Sequence, residues 1–187
     1  IIDGEKKVIH NLCSMATLAA EIEIACNYLE RAYLLEPYNP IVFQALATVL
    51  AANKRSDDAG LAWEEAIRLC PQDSYTLARA AAYYLKENQV EKAKSRAEKA
   101  VELAPDNASH RLLLARILKK LHNIKEAEIN LRIAHKLAPE EAAVNFELGQ
   151  LLWSEGNSPT GLVFLIKAVR AGSDEARQLL STNNRLR

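Results

Sequence analysis

Four histidines, three cysteines and two pairs of adjacent acids are the side chains with which this 187-residue chain could do chemistry. His10, His110, His122 and His135 never stand four residues apart, the spacing that sets two imidazoles on one helical face, and no cysteine ligands accompany them. Cys13, Cys26 and Cys70 form no metal-binding or redox spacing, and their odd number favours a reducing compartment. Asp57-Asp58 opens a helix, where carboxylates meet the positive end of the dipole, and Glu64-Glu65 follows along its outer face. Gly4, Gly60, Gly149, Gly156, Gly161 and Gly172 are too scattered to cradle a phosphate. We therefore expect no enzyme, no metal, no cofactor and no small-molecule substrate. Structural roles account for the same residues: Cys13 as a core thiol, His122 in a turn, and His135 in a packing column with Tyr33, Ile67, Val101 and Val169. A disulfide, if one forms, would join Cys13 to Cys26 within the first hairpin.

Charge is the other chemical resource. The 24 basic and 24 acidic residues cancel, but unevenly along the chain. Through Asp73 there are 6 basic and 11 acidic residues, a net −5. From Ser74 to Glu141 there are 13 and 9, or +4, and the remainder holds 5 and 4, or +1. Such asymmetry steers partners or favours head-to-tail self-association within a Debye length of about 8 Å.

The spacing of the chain shows what must position these groups. Pro37, Pro71, Pro105 and Pro139 stand 34 residues apart. In the same register run three columns of small residues: Cys13, Ala47, Ala81, Ala115 and Gly149; Ala25, Ala59, Ala93, Ala127 and Gly161; Ala32, Ala66, Ala100, Ala134 and Ala168. Leu12, Leu46, Ala80, Leu114 and Leu148 form an apolar column beside the first. Two helices approach closely only where both present small residues, with larger apolar groups filling the space alongside. The period therefore specifies repeated helical hairpins, and arrays of this kind bind other proteins. With 49% hydrophobic residues and no β-branched alternation, the composition agrees with an all-α chain.

The pattern resembles the tetratricopeptide repeat family through Phe43, Leu46, Ala47, Leu50, Ala59, Trp63, Ala66 and Pro71, then Leu77, Ala81, Tyr84, Ala93, Ala100 and Pro105, then Leu114, Ala115, Leu118, Ala127, Leu131, Ala134 and Pro139. The resemblance runs from about Lys6 to Asp174. It implies an all-α, right-handed α-solenoid of stacked antiparallel helix pairs in a single repeat domain, residues 1–187. Repeats fall at about 6–39, 40–73, 74–107, 108–141 and 142–175, with a capping helix at about 174–182. The first unit lacks the usual turn residue, reading Leu18-Ala19-Ala20-Glu21, and the fifth has Ser173 where a proline would fall, so its exit should differ.

The family's concave groove is lined by the first helix of each pair. By register it would present Gln44, Thr48, Arg79, Ala82, Lys86, Leu112, Arg116, Lys119, Lys120, Phe146, Gln150 and Trp153. Arg79, Lys86, Arg116, Lys119 and Lys120 then form a basic stretch, with Phe146 and Trp153 adding aromatic surface. This suits a protein or peptide partner with acidic residues and an apolar anchor. The alternative for the same residues is that Trp153 packs on the capping helix and the lysines only solubilise. The family's clamp for chaperone-tail carboxylates is not carried over, because its places hold His10, Ser14, Ala45, Tyr75 and Arg79, or Gln44, Thr48, Arg79, Ser109 and Leu113.

The resemblance implies a non-catalytic scaffold or adaptor, as in bacterial membrane-associated secretion or biogenesis complexes. RNA binding through the basic stretch is the alternative, disfavoured by the pI of about 7.1, and a third is homo-oligomerisation through the N-terminal repeat. Asn39-Pro40 should open one helix as cap and first residue, and Asn88-x-x-Glu91 and Asn123-x-x-Glu126 read as capping boxes. Turns are expected at Asn53-Lys54, Glu87-Asn88, His122-Asn123 and Gly156-Asn157. Leu12 to Ile24 contains Glu21 and Glu23 and reads as helical core, so membrane contact would come only through regions outside this sequence. Because the chain starts at Ile1 with no cap before Lys6, we expect a fragment or processed form of a longer protein whose upstream residues cover the first repeat. Cytoplasmic localisation is expected, with a periplasmic or membrane-tethered parent as the alternative.

Overall fold

Helix starts and stops follow the 34-residue period. The computed structural model describes residues 2–19, 21–156 and 158–184, and among these there are eleven helices and no strand. They are α1 (Ile2–Leu18), α2 (Ile22–Leu35), α3 (Pro40–Ala52), α4 (Ser56–Leu69), α5 (Ser74–Lys86), α6 (Val90–Leu103), α7 (Ala108–Lys120), α8 (Ile124–Leu137), α9 (Ala142–Ser154), α10 (Ser158–Arg170) and α11 (Asp174–Asn184). The fold class is all-α, built from antiparallel helix pairs.

Two kinds of turn alternate, each with its own backbone device. Within hairpins, Lys54, Asn88 and His122 adopt a left-handed φ of 59°, and Gly156 takes 85° at the same place in the period. The next amide reaches back over the helix end, Arg55 N–H to Leu50 O at 2.9 Å and Asn123 N–H to Leu118 O at 2.9 Å. Between hairpins, Glu36, Cys70, Ala104 and Ala138 donate their amides to Ala32, Ala66, Ala100 and Ala134, and the periodic proline follows because it cannot continue a helix. Asn39, Asp73 and Asn107 then cap α3, α5 and α7 through their side chains, from backbones with ψ of 118°, 106° and 106°.

The two expected capping boxes do not form. Asn88 is spent on the left-handed turn, so Gln89 becomes the N-cap of α6, while Asn123 does cap α8 by position. Both caps have ψ of only 65° and 70°, and neither side chain bonds a helix amide. Cys13 is a buried core thiol and Cys26 is exposed, and no disulfide joins them: all three cysteines are free. Ser173 does change the exit of α10. Gly172 turns left-handed (φ 93°), Ser173 N–H returns to Ala168 O at 2.9 Å, and Ser173 Oγ accepts from the Ala176 amide to cap α11. That helix runs to Asn184, past its expected end, while Asn157, Ala20 and Arg185 lie outside the described residues.

The chain divides into two compact units, Ile1–Glu87 and Asn88–Arg187. In the first, α1 packs on α2 and α3 on α4, around Ile9, Leu12, Cys13, Ala25, Leu29, Ala32, Val42 and Val49. Tyr84 from α5 is buried there too, and its hydroxyl bonds the Glu64 carboxylate at 2.6 Å. In the second, α7 pairs with α8 and α9 with α10, while Leu179 and Leu180 of α11 pack on Leu165, Ala168 and Ala176. Every member of the three small columns is buried.

Where both partners are glycine, not even a methyl fits between the helices. A Cβ on Gly161 would lie 2.7 Å from Trp153 N and 2.9 Å from Gly149 O, so α9 and α10 touch backbone to backbone. Gly60 in α4 has no such reason, since a Cβ there would meet only the Tyr83 hydroxyl at 3.8 Å. Gly161→Ala should therefore cost roughly 1–3 kcal/mol by overpacking, whereas Gly60→Ala should be neutral or gain up to about 1 kcal/mol of helix propensity. Urea unfolding of the two variants checks both signs.

Candidate functional site

The predicted stripe is split between the units, and each unit treats its charges differently. In the first, Gln44 and Thr48 project from one turn to the next of α3, and Arg79 projects from α5. The Arg79 guanidinium donates to Gln44 Oε1 at 3.0 Å and to Thr48 Oγ1 at 3.2 Å, and lies 5.4 Å from the Trp63 ring centre. Gln44 Nε2 in turn donates to Thr76 Oγ1 at 2.8 Å, and the Asp73 carboxylate accepts from both the amide and hydroxyl of Thr76. Asp73 is thus occupied in capping α5, and every partner Arg79 holds is neutral. Arg79 is exposed, and so is Lys86, two turns further along α5. A recess of 120 Å³ beside Arg79 is lined by His10, Cys13, Ser14, Ile41 and Ala45.

In the second unit the same contact carries opposite chemistry. Arg79 reaches Thr48 across 31 residues, and Glu147 reaches Arg116 across the same 31. Glu147 occupies the place on α9 that Arg79 occupies on α5, two periods earlier. Its carboxylate, 9% exposed as a residue, accepts from Arg116 Nε at 2.7 Å and from Lys119 Nζ at 2.6 Å, and Lys119 also bonds Gln150 Oε1 at 3.0 Å. Arg116, Lys119 and Gln150 are therefore brought together, but around an acid that offsets them. Lys120 points to solvent. Phe146 and Trp153 are half-buried and pack on the Leu165–Ala168–Ala176 cluster with Leu179 and Leu180. A recess of 410 Å³ opens beside Arg116, Phe146, Glu147, Gly172, Ser173 and Glu175. The Glu175 carboxyl is held below its ordinary value by its own backbone amide and the Ser173 hydroxyl.

Sequence reasoning missed Glu147. The signal was available, because following the Arg79 column through Leu113 arrives at Glu147 on the same stripe as the bases. Acids elsewhere segregate by helix. In the first unit α3 and α5 carry Arg79 and Lys86 and no acid, whereas α2 and α4 hold Glu23, Glu30, Asp57, Asp58, Glu64 and Glu65. The first unit, with 8 basic and 12 acidic residues, thus carries its Arg79 and Lys86 on helices that hold no acid. Of the other reactive candidates, burial pushes the Cys13 thiol up to about 11, and among the described residues no three of His, Cys, Asp and Glu come together as a metal site requires.

Comparison with known proteins adds family and fold. A family model described as ChAPs (Chs5p-Arf1p-binding proteins) matches residues 5–135. No curated protein matches the chain in sequence. Among solved structures, pilF of Pseudomonas aeruginosa aligns with a TM-score of 0.82 at 18% identity, covering 95% of this chain and 82% of its own. MamA from Desulfovibrio magneticus RS-1 gives 0.74 at 21%, covering 89% and 94%. YrrB, described as a TPR protein with an unusual peptide-binding site, gives 0.72 at 18%, covering 94% and 90%. These likenesses show that the fold is the tetratricopeptide one.

Two measurements follow from this geometry. Glu147→Ala should destabilise the chain by about 1–3 kcal/mol in denaturant, less than a wholly buried pair because the Arg116 side chain is 43% exposed. His135 packs edge-on against Phe164 at 5.1 Å, and burial, aided by nearby Lys167, lowers its pKa from 6.5. The unfolded chain then binds the proton more readily, so stability should fall as pH drops through about 6.5 toward the lowered folded value. A His135→Phe variant should lack that component in melts taken across the same range.

Proposed function

We propose, from the premise that this chain belongs to the ChAPs family, that it is a non-catalytic protein-binding scaffold working within a larger complex. The family is described by the proteins its members bind, Chs5p and Arf1p, and a protein partner is the reading carried to this chain. One observation carries the finer reading: in the first unit α3 and α5 carry Arg79 and Lys86 and no acid, beside the hydrogen-bonding groups of Gln44 and Thr48. The partner segment is acidic, pairing its carboxylates with Arg79 and Lys86, and a small apolar side chain fits the 120 Å³ recess beside Ile41 and Ala45.

In the second unit Arg116 and Lys119 serve chiefly to join α7 to α9 through Glu147, which leaves Lys120 as an exposed base. RNA binding gains little from a stretch offset in this way. Three free cysteines favour a reducing, cytoplasmic setting. Among the described residues no helix is long and apolar enough to cross a membrane.

The test is capture of partners from native lysate by the wild-type chain and by the Arg79→Glu/Lys86→Glu double variant. Both side chains are exposed, so helicity should be unchanged while binding falls roughly tenfold or more. Undiminished capture would contradict the reading. Reversal at Lys119 is a poor substitute, because it sets a second carboxylate against Glu147 and costs stability.

A further inference from the structure

We propose, resting on the reading that Arg79 anchors an acidic partner segment, that the recess beside it binds a phosphothreonine of that segment. The phosphate meets Arg79, His10 and Ser14, and the threonine methyl meets Ile41 and Ala45. The walls come from the first helices of three successive hairpins, all within the first unit: His10 and Ser14 from α1, Ile41 and Ala45 from α3, and Arg79 from α5. The recess is thus interior to the array of hairpins. Arg79 lies across α3, where Gln44 Oε1 and Thr48 Oγ1 each accept one of its hydrogens. Five guanidinium N–H donors less these two leave three for a ligand, on a group already held in place.

Charge and shape select phosphate over a carboxylate. A phosphorylated threonine carries about −1.5 to −2 charges and three acceptor oxygens set in different directions, so it needs donors on more than one side. The recess supplies them: the guanidinium fork from α5, and the His10 imidazole and Ser14 hydroxyl, one turn apart, from α1. Exposed Lys7 precedes His10 by one turn and holds on α1 the place that Ile41 holds on α3, which brings a second cation to the same side. From Lys6 to its end α1 carries no acid, nor do α3 and α5, and Asp73 before α5 accepts from the Thr76 amide. A carboxylate, with two oxygens and one charge, would leave part of this donor set without a partner. The apolar wall of Ile41 and Ala45 distinguishes threonine from serine, because only threonine brings a methyl to it. At 120 Å³ the recess is too small for a phosphorylated tyrosine, whose ring alone calls for about 150 Å³.

Fluorescence anisotropy with four labelled peptide pools tests this, each pool having the same degenerate, Asp- and Glu-rich flanks around a central phosphothreonine, phosphoserine, threonine or glutamate. The phosphothreonine pool should bind roughly tenfold or more tighter than the glutamate pool, and about fourfold tighter than the phosphoserine pool for the one methyl it adds. His10→Ala and Ser14→Ala lie outside the tightly packed core, so helicity should hold while the phosphothreonine pool weakens about threefold in each. Arg79→Glu should weaken every anionic pool roughly tenfold or more. A glutamate or phosphoserine pool bound as tightly as phosphothreonine, or a preference untouched by both alanine variants, would overturn the phosphothreonine site and leave the acidic-partner reading standing. Wild-type binding undiminished in Arg79→Glu, or no binding of any pool, would overturn both.

Discussion

The approach of two helical backbones, with nothing larger than a methyl or thiol between them, is the constraint on which the molecule depends. Ala25, Ala59, Ala93, Ala127 and Gly161 are buried, and so are their counterparts on the facing helices. At Gly149 and Gly161 even a methyl is too large. Once each pair is closed this tightly, its remaining side chains have few directions left. The turn inside a hairpin must be short and left-handed, which is why Lys54 and His122 accept a conformation that a side chain normally avoids at about 1–2 kcal/mol. The exit from a hairpin must stop the helix, which the periodic proline does.

Close packing also sorts the charges. A first helix and a second helix offer different sides to solvent, so acids and bases that are interspersed in sequence become segregated in space. In the first unit this yields a cationic side on α3 and α5, although that half of the chain is acidic by count. In the second, a single acid placed in the column of Arg79 offsets the bases around it. Net charge along the sequence is therefore a poor guide to the charge of a face. Which column a residue occupies decides it.

Much of the fold was legible because its determinants are local and recur. The 34-residue spacing of Pro37 and its successors fixed the hairpin exits, and Asn39-Pro40 announced the start of α3, with Asn39 Oδ1 accepting from the Ile41 amide at 3.0 Å. The capping boxes failed because a sequence motif cannot report ψ. Asn88 and Asn123 have suitable side chains, but the left-handed turn sets the helix entry from the backbone instead. The candidate site was less legible. Its residue types could be read from the first-helix stripe, but the pairing of Glu147 with Arg116 and Lys119 depends on two helices meeting across 31 and 28 residues. Likewise, the burial of Phe146 and Trp153 against the α10–α11 cluster is a matter of packing that periodicity alone leaves open.

A protein-binding scaffold of this kind holds its partner through a few exposed groups set on closely packed helices. Hydrogen–deuterium exchange of the chain, free and holding its captured partner, addresses that most directly. The account predicts added protection in α3 and α5, centred on the segment around Gln44, Thr48 and Arg79, with α2 and α4 unchanged. Protection confined to α2 and α4, where the acids lie, would contradict it.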